Sequence, residues 1–121
     1  MAILWSVYAV AADDPRALVE IGPAPDDPVT NRLKEAITDA FKTSDQLRLS
    51  TGLQPGTLVV SIPNPVEARA HMGRTEYLYR VEFRAANGRL FERGFGSCWS
   101  DELRVCVFNV VRTANRIAPR L

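Results

Sequence analysis

The chain has 121 residues, 46% hydrophobic and 24% charged, enough for one hydrophobic core and too short for two domains of ordinary size. This mix excludes collagen-like, low-complexity and intrinsically disordered chains. The formal net charge of +1 is too near zero for the overall field of a dedicated nucleic-acid binder. The charge is nevertheless uneven: residues 1–68 carry five basic against nine acidic side chains, and residues 69–121 carry ten arginines against five acids.

Residues 1–12 (MAILWSVYAVAA) are apolar and end in small side chains just before Asp13, Asp14 and Pro15. Val10 with Ala12, or Ala9 with Ala11, stands where a signal peptidase expects small residues. The stretch is therefore expected to be the remnant of an export signal, although no basic n-region precedes it, and residues 13–121 to be one folded domain. It is far shorter than the roughly 20 residues of a membrane-spanning helix, so no transmembrane segment is expected.

Residues 16–21 (RALVEI) have strand composition and stop at Gly22-Pro23. Asp27 before Pro28 reads as an N-cap with proline at the first helical position. Val29, Leu33, Ala36, Ile37, Ala40 and Phe41 then recur at helical spacing, predicting a helix over residues 28–43. Leu47 and Leu49 mark a short second strand, and residues 57–62 (TLVVSI) a third. Pro63-Asn64-Pro65 interrupts it, which implies an edge or a bulge. Residues 66–73 either extend this strand or loop away, with His71 expected in a loop.

Asn87-Gly88 between two strand-like runs predicts a hairpin with a two-residue type I′ turn, joining strands over residues 75–85 and 89–98. In that register one face carries Tyr77, Tyr79, Val81 and Phe83 opposite Cys98, Gly96, Gly94 and Glu92. The other carries Leu78, Arg80, Glu82 and Arg84 opposite Ser97, Phe95, Arg93 and Phe91. Ser100 is the expected N-cap of a last helix, with Asp101 and Glu102 in its first turn and Arg112 and Arg116 near its end. Its apolar stripe is Leu103, Cys106, Val107, Val110, Val111, Ala114 and Ile117, and Pro119 ends it. The element order is β-α-β-β-β-β-α, an α+β single domain with a mainly antiparallel sheet and two helices packed on one face.

Cys98 and Cys106 are the only cysteines, and their spacing fits neither a C-x-x-C redox pair nor a zinc knuckle. They are expected to meet as a disulfide where the last helix folds back on the sheet, with Gly94 and Gly96 letting the helix approach. His71 is the only histidine, which removes multi-histidine metal sites. A zinc set of Cys98, Cys106 and His71 lacks the paired local spacings of structural zinc. The pairs Asp13-Asp14 and Asp26-Asp27 read as turn residues, and Arg93-Gly94-Phe95-Gly96 is not a phosphate loop because it opens no helix. No catalytic residue, cofactor or metal is therefore expected. The outward hairpin face, with Leu78, Arg80, Arg84, Phe91, Arg93 and Phe95, combines the aromatic and arginine side chains that dominate protein interfaces. Its pairs of Arg84 with Phe91 and Arg80 with Phe95 would be cation–π contacts.

The helix opened by Asp27-Pro28, the short strand at Leu47, the strand Thr57-Leu58-Val59-Val60-Ser61-Ile62 and the hairpin after it resemble the small α/β domain of the TolB amino-terminal type. Similar domains occur in outer-membrane lipoprotein activators of peptidoglycan synthases and in curli secretion components. The resemblance covers about residues 16–117 and lies in element order and patterning. It implies an envelope-located, non-catalytic domain that docks other proteins. No lipobox cysteine follows the apolar start, so no lipid anchor is expected, and no functional residue is carried over.

The expectation is a small exported, periplasmic, non-enzymatic protein acting by protein–protein contact in the bacterial envelope, with no nucleic-acid partner. The alternatives are an inhibitor or immunity protein against a secreted enzyme or toxin, and a small thiol- or carboxylate-dependent hydrolase. An anionic ligand on Arg80, Arg84 and Arg93 is a further option. A flat edge at strand three or at the chain start would support a homodimer by strand pairing, against which Pro63 and Pro65 act.

Overall fold

A computed structural model describes residues 14–50 and 52–121. The apolar residues 1–12 and Asp13, and the export reading attached to them, lie outside the described residues. The elements are β1 (Ala17–Ile21), α1 (Pro28–Lys42), β2 (Leu47–Leu49), β3 (Leu58–Ser61), β4 (Glu67–His71), β5 (Arg74–Ala85), β6 (Leu90–Trp99), α2 (Leu103–Ile117) and a short 3-10 turn, Ala118–Arg120. The six strands form one mixed sheet: β1 runs parallel to β2 and β3, and β5 runs antiparallel to β3, β4 and β6. The α+β class follows the expectation, with one strand more because residues 67–71 pair with β5. His71 accordingly ends a strand and is not a loop residue.

α1 starts where the sequence dictates. The Asp27 carboxylate accepts the amide hydrogen of Thr30 at 3.0 Å, which satisfies one of the orphan donors of the first turn. Leu33, Ile37 and Phe41 are buried on its inward side. On α2, Cys106, Val110, Ala114 and Ile117 do the same. Both stripes meet Val19, Leu58, Val60, Tyr79, Val81 and Phe83 of the sheet in a single core. The Ser100 cap does not form. Its amide donates to Thr75 O at 2.8 Å, extending the β5–β6 pairing, and the helix starts behind Glu102 with no side-chain cap. Asp101 and Glu102 precede the helix and bind Arg74 instead, at 2.8 and 3.2 Å.

β3 is an interior strand between β1 and β5, not the expected edge. Its prolines mark a break. Ser61 opposes Glu82 and Glu67 opposes Leu78, so this side of the ladder advances six residues where β5 advances four. Proline, which has no N–H to give, is tolerated where the ladder is interrupted. The flanking amides find other acceptors: Ile62 N donates to Pro23 O at 3.2 Å, and Val66 N to Thr30 Oγ1 at 2.9 Å.

The two-residue type I′ turn expected at Asn87-Gly88 occurs instead at Met72-Gly73, where no hairpin was expected. At Met72-Gly73 both residues have positive φ, 53° and 77°, the geometry of a type I′ two-residue loop, and His71 pairs with Arg74 across it. At Asn87-Gly88 only Gly88 has positive φ, 93°. The turn closes with Gly88 N on Ala85 O and Ala85 N on Arg89 O, a three-residue loop with glycine in the left-handed position. Arg84 therefore opposes Leu90, and an irregularity next to Phe83 restores the expected pairs from Phe83 with Glu92 to Tyr77 with Cys98.

Candidate interaction face

Strand alternation decides which side chains reach the side of the sheet turned away from the helices. Tyr77, Tyr79, Val81 and Phe83 are buried on the helix side, so Arg74, Glu76, Leu78, Arg80, Glu82 and Arg84 face outward. β6 sets Trp99, Ser97, Phe95 and Arg93 opposite Glu76, Leu78, Arg80 and Glu82, and β4 adds Glu67, Arg69 and His71.

Phe95 is 70% exposed. The Arg80 guanidinium stands 5.3 Å from its ring centroid and forms no ion pair among the described residues. Together they make a ridge between two open depressions. One, of about 580 Å³, is lined by Asn64, Pro65, Glu67, Leu78, Arg80 and Phe95; the other, of about 330 Å³, includes Pro63, Asn64, Glu82 and Arg93. The proline break between β3 and β4 thus supplies the rim of the site. The Glu82 carboxylate is held between Arg84 at 3.0 Å and Arg93 at 3.3 Å. The hydrogen bond from Arg84 does most to hold that carboxyl below its ordinary range.

Of the residues expected on this face, Leu78, Arg80, Arg93 and Phe95 come together. Arg84 shares the surface but is engaged internally, donating also to Gly88 O at 2.9 Å. Phe91 does not join its expected partner. Because Arg84 opposes Leu90, Phe91 falls at the irregularity and packs with Arg89 at 5.4 Å. Sequence reasoning also missed a cluster at the other end of β5. His71 stacks on Trp99 with ring centroids 5.8 Å apart, and Arg74 lies 4.2 Å from the same indole. The type I′ turn at Met72-Gly73 brings His71 beside Arg74, and Gly73 is the one residue there whose type points to a turn.

Cys98 and Cys106 are joined in a disulfide, with Cα atoms 5.7 Å apart, as expected. The glycines of β6 serve another purpose than helix approach. A Cβ at Gly96 would lie 2.6 Å from Tyr79 Cε1, and one at Gly94 2.9 Å from Val81 Cγ1. Their missing side chains make room for the cross-strand neighbours. Tyr79 then reaches the helix itself, its hydroxyl donating to Cys106 O at 3.5 Å. With both sulfurs in the disulfide, the set of Cys98, Cys106 and His71 has no thiolate to offer a metal. Among the described residues no three His, Cys, Asp or Glu side chains gather as metal ligands, and no helix is long and apolar enough to cross a membrane.

The chain is thus a two-helix layer on a mixed six-stranded sheet, with an arginine-aromatic ridge on the bare side. No protein-family model matches the chain, and no curated protein matches it in sequence. Solved structures do match in fold. PelC L103M from Paraburkholderia phytofirmans, described as a dodecamer, aligns over 82% of this chain and 83% of its own with 10% identity and a TM-score of 0.50. A minor lipoprotein from Acinetobacter baumannii aligns over 84% and 91% with 14% identity and a TM-score of 0.49. Protein XCC0632 of Xanthomonas campestris, of the DUF330 family, aligns over 69% and 65% with 11% identity and a TM-score of 0.42. These are small bacterial domains but not TolB amino-terminal domains. The likeness to PelC is one of fold.

Proposed function

We propose that this chain is an exported, non-enzymatic protein of the bacterial envelope that docks a protein partner on the outward face of β5 and β6. The observation that carries the reading is the ridge of Phe95 and Arg80, an exposed aromatic side chain and an arginine with no ion-pair partner among the described residues, on an antiparallel strand pair. Aromatic and arginine side chains dominate the energetics of interfaces. The open depressions on either side suit a protein surface more than an enclosed small molecule. The disulfide supports an oxidising compartment, and it leaves the thiol hydrolase alternative without a nucleophile.

The partner can be a second copy of the chain, a reading favoured by the dodecameric state of PelC, whose fold this chain shares. An enzyme or toxin, held by an inhibitor or immunity protein, is the other occupant of the same face. A photo-crosslinking residue at position 95, in protein expressed with its native upstream sequence, separates these. A discrete product that disappears on Arg80→Ser supports the face. A product of twice the chain mass identifies a second copy, and capture of one enzyme with loss of its activity identifies an inhibitor. Equal labelling from position 95 and from position 35 on α1 overturns the proposal. The intact mass of the same material tests the compartment: loss of residues 1–11 or 1–12 and a deficit of one hydrogen pair that reduction removes are expected.

A further inference from the structure

α2 (LRVCVFNVVRTANRI) contains three arginines and no acid. With Cys106, Val110, Ala114 and Ile117 turned inward, the helix exposes Arg104, Val105, Phe108, Arg112 and Arg116. Phe108 is 63% and Val105 41% exposed, and Arg112 packs on the Phe108 ring at 5.7 Å. Arg104 and Arg112 have no ion-pair partner among the described residues, whereas Arg116 is paired with Glu92 at 2.6 Å.

Arg104, Phe108, Arg112 and Arg116 follow one another at four-residue steps. They form one stripe along about 18 Å of helix. The neighbouring helix does not neutralise it, because the exposed charges of α1 are Arg32 and Lys42 against Glu35 and Asp39. The stripe is convex and cationic, winds about 120° around the helix, and has apolar side chains between the charges.

We propose that this stripe seats the domain on an anionic phospholipid surface. A plane of phosphates meets the convex face that these side chains share, and the guanidinium forks of Arg104 and Arg112, which have no ion-pair partner among the described residues, can each take a phosphate. Phe108 and Val105 enter the boundary between headgroups and acyl chains, as the apolar residues of interfacial helices do. The surface lies on the opposite side of the sheet from the ridge of Arg80 and Phe95, so the inference does not rest on the protein-docking reading.

The test is co-sedimentation of the full-length oxidised protein with vesicles of phosphatidylcholine alone or mixed with phosphatidylglycerol, at low and high salt. The expected result is binding to the anionic vesicles only, weakened by salt. Each arginine at an anionic surface strengthens binding about fivefold, so Arg104→Ser with Arg112→Ser should weaken it roughly 25-fold. Phe108→Ser should weaken it further, and Arg80→Ser with Phe95→Ser should leave it unchanged. Unchanged thermal unfolding of each variant guards against misfolding as the cause. Equal binding to neutral vesicles, or wild-type affinity in the double arginine variant, overturns the proposal. So does retention on immobilised poly-glutamate, lost in that variant, without vesicle binding, which would assign the stripe to an acidic protein.

Discussion

Thr30 Oγ1 in the first turn of α1 accepts the amide hydrogen of Val66 at 2.9 Å, in the interior of the domain. Thr30 is fully buried and Val66 nearly so, and this bond pins the chain where it leaves the proline break and enters β4. Replacing Thr30 by the isosteric Val leaves a buried N–H without an acceptor, which costs about 1–3 kcal/mol. Urea unfolding should show a lower midpoint for Thr30→Val and near-recovery for Thr30→Ser.

Gly96 has an ordinary strand backbone, so its substitution tests packing alone. The Tyr79 ring lies where a Cβ would be, and the hydroxyl bond to Cys106 O keeps the ring there. Gly96→Ala should cost about 1–3 kcal/mol, the range of an overpacked core. In the background of Tyr79→Leu the same change should cost much less, and a double-mutant cycle measures the coupling.

The disulfide of Cys98 and Cys106 closes a loop with a sequence separation of 8. In the chain-entropy model this loop contributes about 2–3 kcal/mol, so urea midpoints with and without reductant should differ accordingly. Cys106 has no exposed surface. After reduction its thiol should alkylate only through unfolding, more slowly than Cys98.

Several carboxyls titrate below their ordinary values. Asp14 is held at about 2, chiefly by the side-chain hydrogen bond from Arg16. Asp27 is lowered by its hydrogen bonding with Thr30, and Glu82 by Arg84 and then Arg93. A depressed folded-state value means the unfolded chain takes up protons first. The stabilisation is complete above about pH 4–5, where the unfolded carboxyls are ionised, and is lost as pH falls through the folded-state values. The urea midpoint should be flat from pH 7 to 5 and drop from pH 4 to 2. Asp27→Asn, which still caps the helix but does not titrate, should shallow that drop.

Arg80→Ser with Phe95→Ser should cost no more than about 1 kcal/mol, the worth of one exposed cation–π contact. A larger loss, read from the same urea curves, would mean that the ridge serves the fold.

The sequence is most legible where local chemistry acts alone. Asp27-Pro28 and the spacing of Leu33, Ile37 and Phe41 define α1 without help from the rest of the chain. The inward alternation of Tyr77 to Phe83 likewise predicts the covered face of β5. Its limits lie where two local options are close in energy. Asn87-Gly88 can close a two-residue or a three-residue loop, and the alternative chosen moves Phe91 away from Arg84. Met72 carries no turn signal of its own and takes a positive φ because β4 and β5 are held in register on either side. Ser100 is a good capping residue, but its amide is drawn into the last β5–β6 bond. Of the candidate site, the contact of Arg80 with Phe95 was legible. The rim was not, because Pro63 and Asn64 approach Arg80 only through the slip between β3 and β4.

β5 bonds to three strands, and two of them are its immediate neighbours in the chain through loops of two and three residues. The partners on the far side are distant: Val19 meets Leu58 only after the whole of α1 has intervened. Local pairings close at small entropic cost and distant ones at larger cost, so the order of assembly is built into the connectivity. This connectivity favours early formation of the β4–β5–β6 meander, with the β1–α1–β2 part condensing onto it later. The early half is arginine-rich and the late half acidic. Their opposite charges draw the two together as the domain closes, and once joined they leave a molecule of almost no net charge.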